Sequence, residues 1–152
     1  MRRCRRHRMM AEASRVDASR LMSSNDSTGR FVHARLIVVE DSFPVADGLK
    51  FLLQTFGCDV VGMAGNVRTA LDLVATGAFD VALLDIDLRG EPATPIADAV
   101  QQQGKPVIFL SGYGDAEVLP PHLRTLPRLE KPVEPNELFA VISRVLTRSS
   151  AL

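Results

Sequence analysis

Three apolar runs in this chain each end abruptly on a polar side chain. Leu36-Ile37-Val38-Val39 stops at Glu40-Asp41, Val81-Ala82-Leu83-Leu84 at Asp85, and Val107-Ile108-Phe109-Leu110 at Ser111. Unbroken runs of this length, rich in β-branched residues, are expected for strands buried on both faces. Such strands need helices on each side of their sheet. A lone carboxylate at the end of a buried strand is costly unless something pairs it. The sequence therefore demands both a covered sheet and partners for its acids.

The segments between the runs read as helices. Ser42 is placed to cap a helix whose apolar face is Val45 or Ala46, then Leu49, Leu52, Leu53 and Phe56, and Gly57 stops it. A second strand spans Asp59 to Ala64. Asn66 caps a helix carrying Ala70, Leu71, Leu73 and Val74, stopped by Gly77. Pro95 to Gln103 is a short third helix, with Pro92 and Pro95 shaping a loop over the strand ends. Asp115 to Leu126 gives no clear period, and Pro120-Pro121 break any long helix there. Leu129 sits in a short last strand. Pro135 opens a final helix with Leu138, Val141, Ile142 and Val145 on one face. Strands alternating with helices predict an α/β fold with a parallel sheet wound on both faces. Five such units suit the flavodoxin-like (βα)5 order 2-1-3-4-5, whose site lies at the carboxyl ends of strands 1 and 3.

The whole chain of 152 residues fits one such domain, predicted over 34–148 with a tail at 149–152. Residues 1–33 have neither period and contain the turn-rich stretch from Ser23 to Gly29, so a disordered basic leader is expected. Met9, Met10 and Met22 are alternative starts, which makes a mis-assigned beginning one reading of that leader. The net charge of zero hides an asymmetry. Residues 1–30 hold eight arginines against Glu12, Asp17 and Asp26, while the remainder holds ten Lys and Arg against fifteen Asp and Glu. An acidic domain is a poor nucleic-acid binder. No apolar run is long enough for a bilayer, and the basic start lacks an apolar segment behind it, so neither a membrane span nor a secretory signal is predicted. Cys4 and Cys58 match no metal or redox spacing, and a reducing cytoplasm fits.

In the predicted sheet, Glu40, Asp41, Asp85, Asp87, Ser111 and Lys131 follow neighbouring strand ends and share one edge. Clustered carboxylates without histidine or thiolate select Mg²⁺ or a similar hard cation. A carboxylate can itself attack a phosphoryl group, and that reaction asks mainly for positioning and charge neutralisation. Asp85, central in the sheet, is the candidate phosphoacceptor. Glu40 and Asp41 are candidate metal ligands with Asp85, and the backbone carbonyl of Asp87 is a further one. Lys131 would neutralise phosphoryl oxygens and Ser111 would hydrogen-bond one of them.

Glu40-Asp41, Leu84-Asp85, Ser111-Gly112 and Glu130-Lys131-Pro132, in that order, resemble the receiver domain of two-component response regulators. The resemblance implies Mg-dependent phosphotransfer to Asp85 from a sensor histidine kinase or a phosphotransfer protein, followed by signalling through a protein partner. It also implies a cis peptide at Lys131-Pro132, where an X-Pro bond makes that geometry accessible. Phe109-Leu110-Ser111-Gly112-Tyr113 is similar to the "FAT GUY" class of stand-alone alphaproteobacterial receivers, which implies a kinase of HWE or related type. Arg128 stands where many receivers carry an aromatic switch residue, so Tyr113 is the candidate to share that role, with Gly114 to Leu126 as the output face. No DNA-binding output domain is expected after the last helix, and dimerisation is compatible with the sequence.

Two rival readings have distinct requirements. Asp85-Ile86-Asp87-Leu88-Arg89 resembles the opening motif of haloacid-dehalogenase-type phosphatases, but that family needs Thr or Val where Arg89 stands. A phosphorylation-independent interaction module with a receiver shell would not need the acidic pair, Asp85 and Lys131 together.

Overall fold

The computed structural model describes residues 33–150. All of the predicted leader except His33, and the last two residues of the tail, lie outside that range. The strands are β1 (Arg35–Val39), β2 (Asp59–Ala64), β3 (Val81–Asp85), β4 (Asp87–Leu88), β5 (Glu91–Pro92), β6 (Val107–Ser111) and β7 (Arg128–Glu130). The helices are α1 (Phe43–Thr55), α2 (Val67–Thr76), α3 (Thr94–Gln102) and α4 (Pro135–Ser150). Five strands form one parallel sheet in the order β2-β1-β3-β6-β7, which is the flavodoxin-like order predicted. The two-residue strands β4 and β5 form a separate antiparallel hairpin.

The alternation of side chains along each buried strand builds two cores. Ile37, Val39, Ala82, Leu84, Val107 and Phe109 face Ala70 and Val74 of α2 and Ile96, Ala97 and Val100 of α3. Leu36, Val38, Val81, Leu83, Ile108 and Leu110 face Leu49 and Leu53 of α1 and Leu138, Val141, Ile142 and Val145 of α4. Strands with apolar residues at every position can satisfy both cores at once, which is why the runs do not alternate with polar residues. Cys58 joins the second core, and its burial pushes the thiol up to about 12.

Local signals set most of the boundaries. The Asn66 side chain accepts the Thr69 N–H at 2.8 Å, and Gly77 closes α2 in the left-handed conformation at φ 66°. Ser42 occupies the cap position of α1, but its side chain makes no capping bond. Pro44 lacks one of the N–H groups that such a cap would bind, and the Ser42 backbone N–H goes instead to Glu40 Oε1 at 3.1 Å. Ala46, Leu49 and Leu53 carry the buried face of α1, while Val45 is exposed.

The fourth crossover holds no long helix, as Pro120-Pro121 predicted. Between β6 and β7 the chain makes two short 3₁₀ turns, Asp115–Val118 and Pro121–Leu123, rather than an α-helix. Leu119 and Leu123 bury themselves in the first core and fasten the segment. His122, on the surface, reaches back to Asp98 of α3 at 2.8 Å. Pro92 lies in the hairpin and Pro95 in the first turn of α3.

Candidate functional site

The carboxyl ends of β1, β3, β6 and β7 gather the polar groups at one edge of the sheet. Parallel register makes this unavoidable: Asp85 pairs with Leu110, and Ser111 with Glu130, immediately before Lys131. Lys131-Pro132 is cis, as the resemblance implied. Glu40, Asp85 and Ser111 are 3, 4 and 5% exposed, the three buried polar or charged residues among those described.

Lys131 bridges two of the acids. Its Nζ lies 2.8 Å from Asp85 Oδ2, to which it donates a hydrogen bond, and 2.6 Å from Glu40 Oε2. The second contact is an ion pair outside hydrogen-bond angles, so Glu40 Oε2 is buried without a directed donor. The backbone N–H of Asp87 reaches Asp85 Oδ1 at 3.3 Å, which is weak. Burial pushes Glu40 above its ordinary value, and the nearby Lys131 ammonium only partly pulls it back. Burial would lower Lys131, but its contacts with Asp85 and then Glu40 outweigh that, so its proton is held more firmly than usual.

Carboxylate oxygens of Glu40, Asp41 and Asp85 all lie within 4.8 Å of one another. Three acids at that spacing, with one buried oxygen lacking a donor, fit a hard divalent cation. The donor set is all oxygen, as Mg²⁺ prefers. Asp87 contributes no carboxylate to the cluster: its exposed side chain accepts the Gly90 N–H at 2.8 Å. That orientation removes the acid a haloacid-dehalogenase-type phosphatase would need beside its nucleophile. The residue that sequence reading passed over is Arg89, whose Nε stands 3.5 Å from Asp41 Oδ2.

Beside Lys131 opens a cleft of about 370 Å³ lined by Ser111, Gly112, Tyr113, Gly114, Arg128 and Glu130. Arg128 and Tyr113 thus share one wall system with the lysine, and the Tyr113 ring is fully exposed. Asp115 Oδ2 accepts the Gly112 N–H at 2.8 Å and closes the turn after Ser111.

A five-stranded parallel sheet with buried acids opposite a cis-prolyl lysine defines a phosphoacceptor class of signalling domain. Residues 36–143 match the family model described as response regulator receiver domain, and the chain belongs to that family of two-component signalling proteins. It is 34% identical over 122 residues to the transcriptional regulatory protein DltR of Streptococcus agalactiae, which covers 78% of this chain and 54% of DltR. The chain therefore spans about half the length of the curated relatives it matches. Among solved structures it is similar to SdrG from Sphingomonas melonis Fr1 (30% identity, TM-score 0.68, 75% of this chain and 97% of that one). It is also similar to the response regulator PhyR from Brucella abortus (28% identity, TM-score 0.70, 93% of this chain and 57% of that one). No helix among the described residues is long and apolar enough to cross a membrane.

Proposed function

We propose that this chain is a response regulator receiver that carries a phosphoryl group on Asp85 as its signal. The observation that supports this best is Lys131 bridging two buried acids, Glu40 at 2.6 Å and Asp85 at 2.8 Å, on one sheet edge. Burial of Asp85 excludes water from the acceptor, and the lysine orients one of its oxygens. A carboxylate oxygen of Asp85 would bond to phosphorus as the P–N bond of a phosphohistidine breaks, its electron pair returning to the imidazole. Lys131 would stay protonated throughout and neutralise the incoming oxygens, and the Ser111 hydroxyl would donate to one of them.

Glu40, Asp41, Asp85 and the backbone carbonyl of Asp87 are the groups we assign to a Mg²⁺ ion. Bound there, the ion would neutralise the charge that develops on the transferring group. The donor would be a sensor histidine kinase of HWE or related type, or a phosphotransfer protein, in the cytoplasm. The signal would pass through the cleft that holds Tyr113 and Arg128 and through the segment Gly114 to Leu126, shifting a two-state equilibrium there toward or away from a protein partner. A dimer is compatible with this scheme, and so is a role as a phosphate sink for the kinase.

Phosphotransfer from purified histidine kinases of the same genome, charged with labelled ATP in Mg²⁺, tests the assignment. Wild type and Asp87→Asn should take label, and Asp85→Asn should not. Equal labelling of Asp85→Asn would refute the acceptor. No label from any kinase, with amide resonances unmoved by beryllofluoride, would favour the phosphorylation-independent module.

A further inference from the structure

The hairpin after β3 places a cation on the acidic cluster. Asp87 pairs with Pro92 and Leu88 with Glu91, leaving Arg89-Gly90 as a two-residue loop. Both loop residues have positive φ, 53° for Arg89 and 86° for Gly90. That is the backbone of a type I′ turn, which favours Asn, Asp or Gly at its first position. A long side chain with a Cβ is out of place at Arg89, and such positions persist only where the surroundings enforce them. The surroundings do so here. Gly90 N–H donates to Asp87 Oδ1 at 2.8 Å, Leu88 is buried at 3% exposure, and Ala93 N–H donates to the Ile86 carbonyl at 3.0 Å. The hairpin is anchored at its base and tip rather than free.

The cations divide the cluster between them. Lys131 touches Glu40 and Asp85, while among the described residues the ion pair recorded for Asp41 is with Arg89. The Asp41 side chain is 23% exposed and the Arg89 side chain 81%, so the two meet at the solvent-facing side of the cluster. We propose that Arg89 is the resting counter-ion of Asp41, a tethered cation that competes with a divalent ion for the metal site's outermost acid and loosens from it as the ion binds. Like charges at one carboxylate repel, so a divalent ion beside Asp41 weakens the hold of the guanidinium on that acid. Because Arg89 is largely solvated, its withdrawal costs little, and its charge should weaken metal binding only modestly. The anchored turn keeps the guanidinium close by for return when the ion leaves.

This inference rests on the metal site proposed above, and the test separates the two. Amide resonances of the full chain are followed as MgCl₂ is added, for wild type and Arg89→Gln, at low and high ionic strength. Arg89→Gly, which removes the charge and also relieves the positive φ, serves as a second variant should Arg89→Gln disturb the turn. Both variants should bind Mg²⁺ more tightly than wild type by about two- to fivefold at low salt. The gap should close as salt screens the guanidinium. In wild type the Gly90 amide should shift in step with metal occupancy, and in Arg89→Gln it should shift less. Binding in wild type with unchanged or weaker affinity in both variants overturns the role of Arg89 while leaving the metal site intact. No response in wild type overturns the metal site, and the counter-ion with it.

Discussion

Removing the Lys131 ammonium should destabilise the metal-free protein by an amount that disappears when its two acids are removed as well. At an effective dielectric near 20, each contact from Nζ, 2.6 Å to Glu40 and 2.8 Å to Asp85, is worth about 6 kcal/mol of attraction. Against that stand the desolvation of three charged groups and the repulsion between the acids, about 3 kcal/mol for a pair at 4.8 Å. Lys131→Met loses the attraction and spares the lysine's desolvation. It leaves two carboxylates, 3 and 4% exposed, with no compensating charge from the lysine. Stranding one side of a buried ion pair costs about 3–5 kcal/mol, and because burial already favours the neutral form of Glu40, the expected loss lies near the lower end. With a urea m-value of about 1.5 kcal/mol per molar, a loss of about 3 kcal/mol moves the unfolding midpoint down by roughly 2 M. The chain has no tryptophan, so far-UV circular dichroism in EDTA is the suitable probe. The same substitution in a Glu40→Gln, Asp85→Asn background should cost well under 1 kcal/mol. An equal loss in both backgrounds would show that the lysine stabilises through its packed stem and not through the acids.

Two further expectations follow from the geometry around that lysine and from the helix caps. Burial holds Glu40 above its ordinary value, so the folded state binds this proton more tightly than the unfolded chain does. Metal-free stability should therefore fall as pH rises from the ordinary carboxyl value through the raised one, and Glu40→Gln should flatten that decline; denaturant curves across mildly acidic pH would reveal a parallel slope if the reasoning is wrong. Asn66→Ala removes the side-chain acceptor of the Thr69 N–H and should cost about 1 kcal/mol, a fall of roughly 3–5 °C in Tm, with phosphotransfer unaffected.

The three central strands were readable because β1, β3 and β6 carry runs that are apolar at every position, and the two cores use both parities of those runs. Asn66, Gly57 and Gly77 were readable as boundaries because their chemistry is local: one side-chain acceptor, and two positions of positive φ. Ser42 was readable as the cap position, but its side-chain bond is missing for an equally local reason, the absent N–H of Pro44 and the competing carboxylate of Glu40 two residues before it. The fourth crossover was opaque. Pro120-Pro121 forbid a long helix there, and Leu119 and Leu123 anchor the turns with too few apolar positions to set a period.

The gathering of site residues at one edge followed from strand order alone, since parallel strands put all carboxyl ends together. What the sequence did not carry is how the charges share partners. Periodicity assigns a side chain to a face, and it cannot say that Lys131 spans two acids or that Arg89 serves Asp41. Each pairing depends on a turn: Lys131 follows directly on β7 at a cis peptide, and Arg89 sits in a hairpin whose strands are two residues long. Strands that short leave no period at all. The available signal was Asp87 three residues before Gly90, an acceptor placed for a tight turn, and Gly90 at the loop position that requires positive φ. The acidic edge is therefore prescribed by the sheet, whereas the cations that make it habitable are prescribed by two turns.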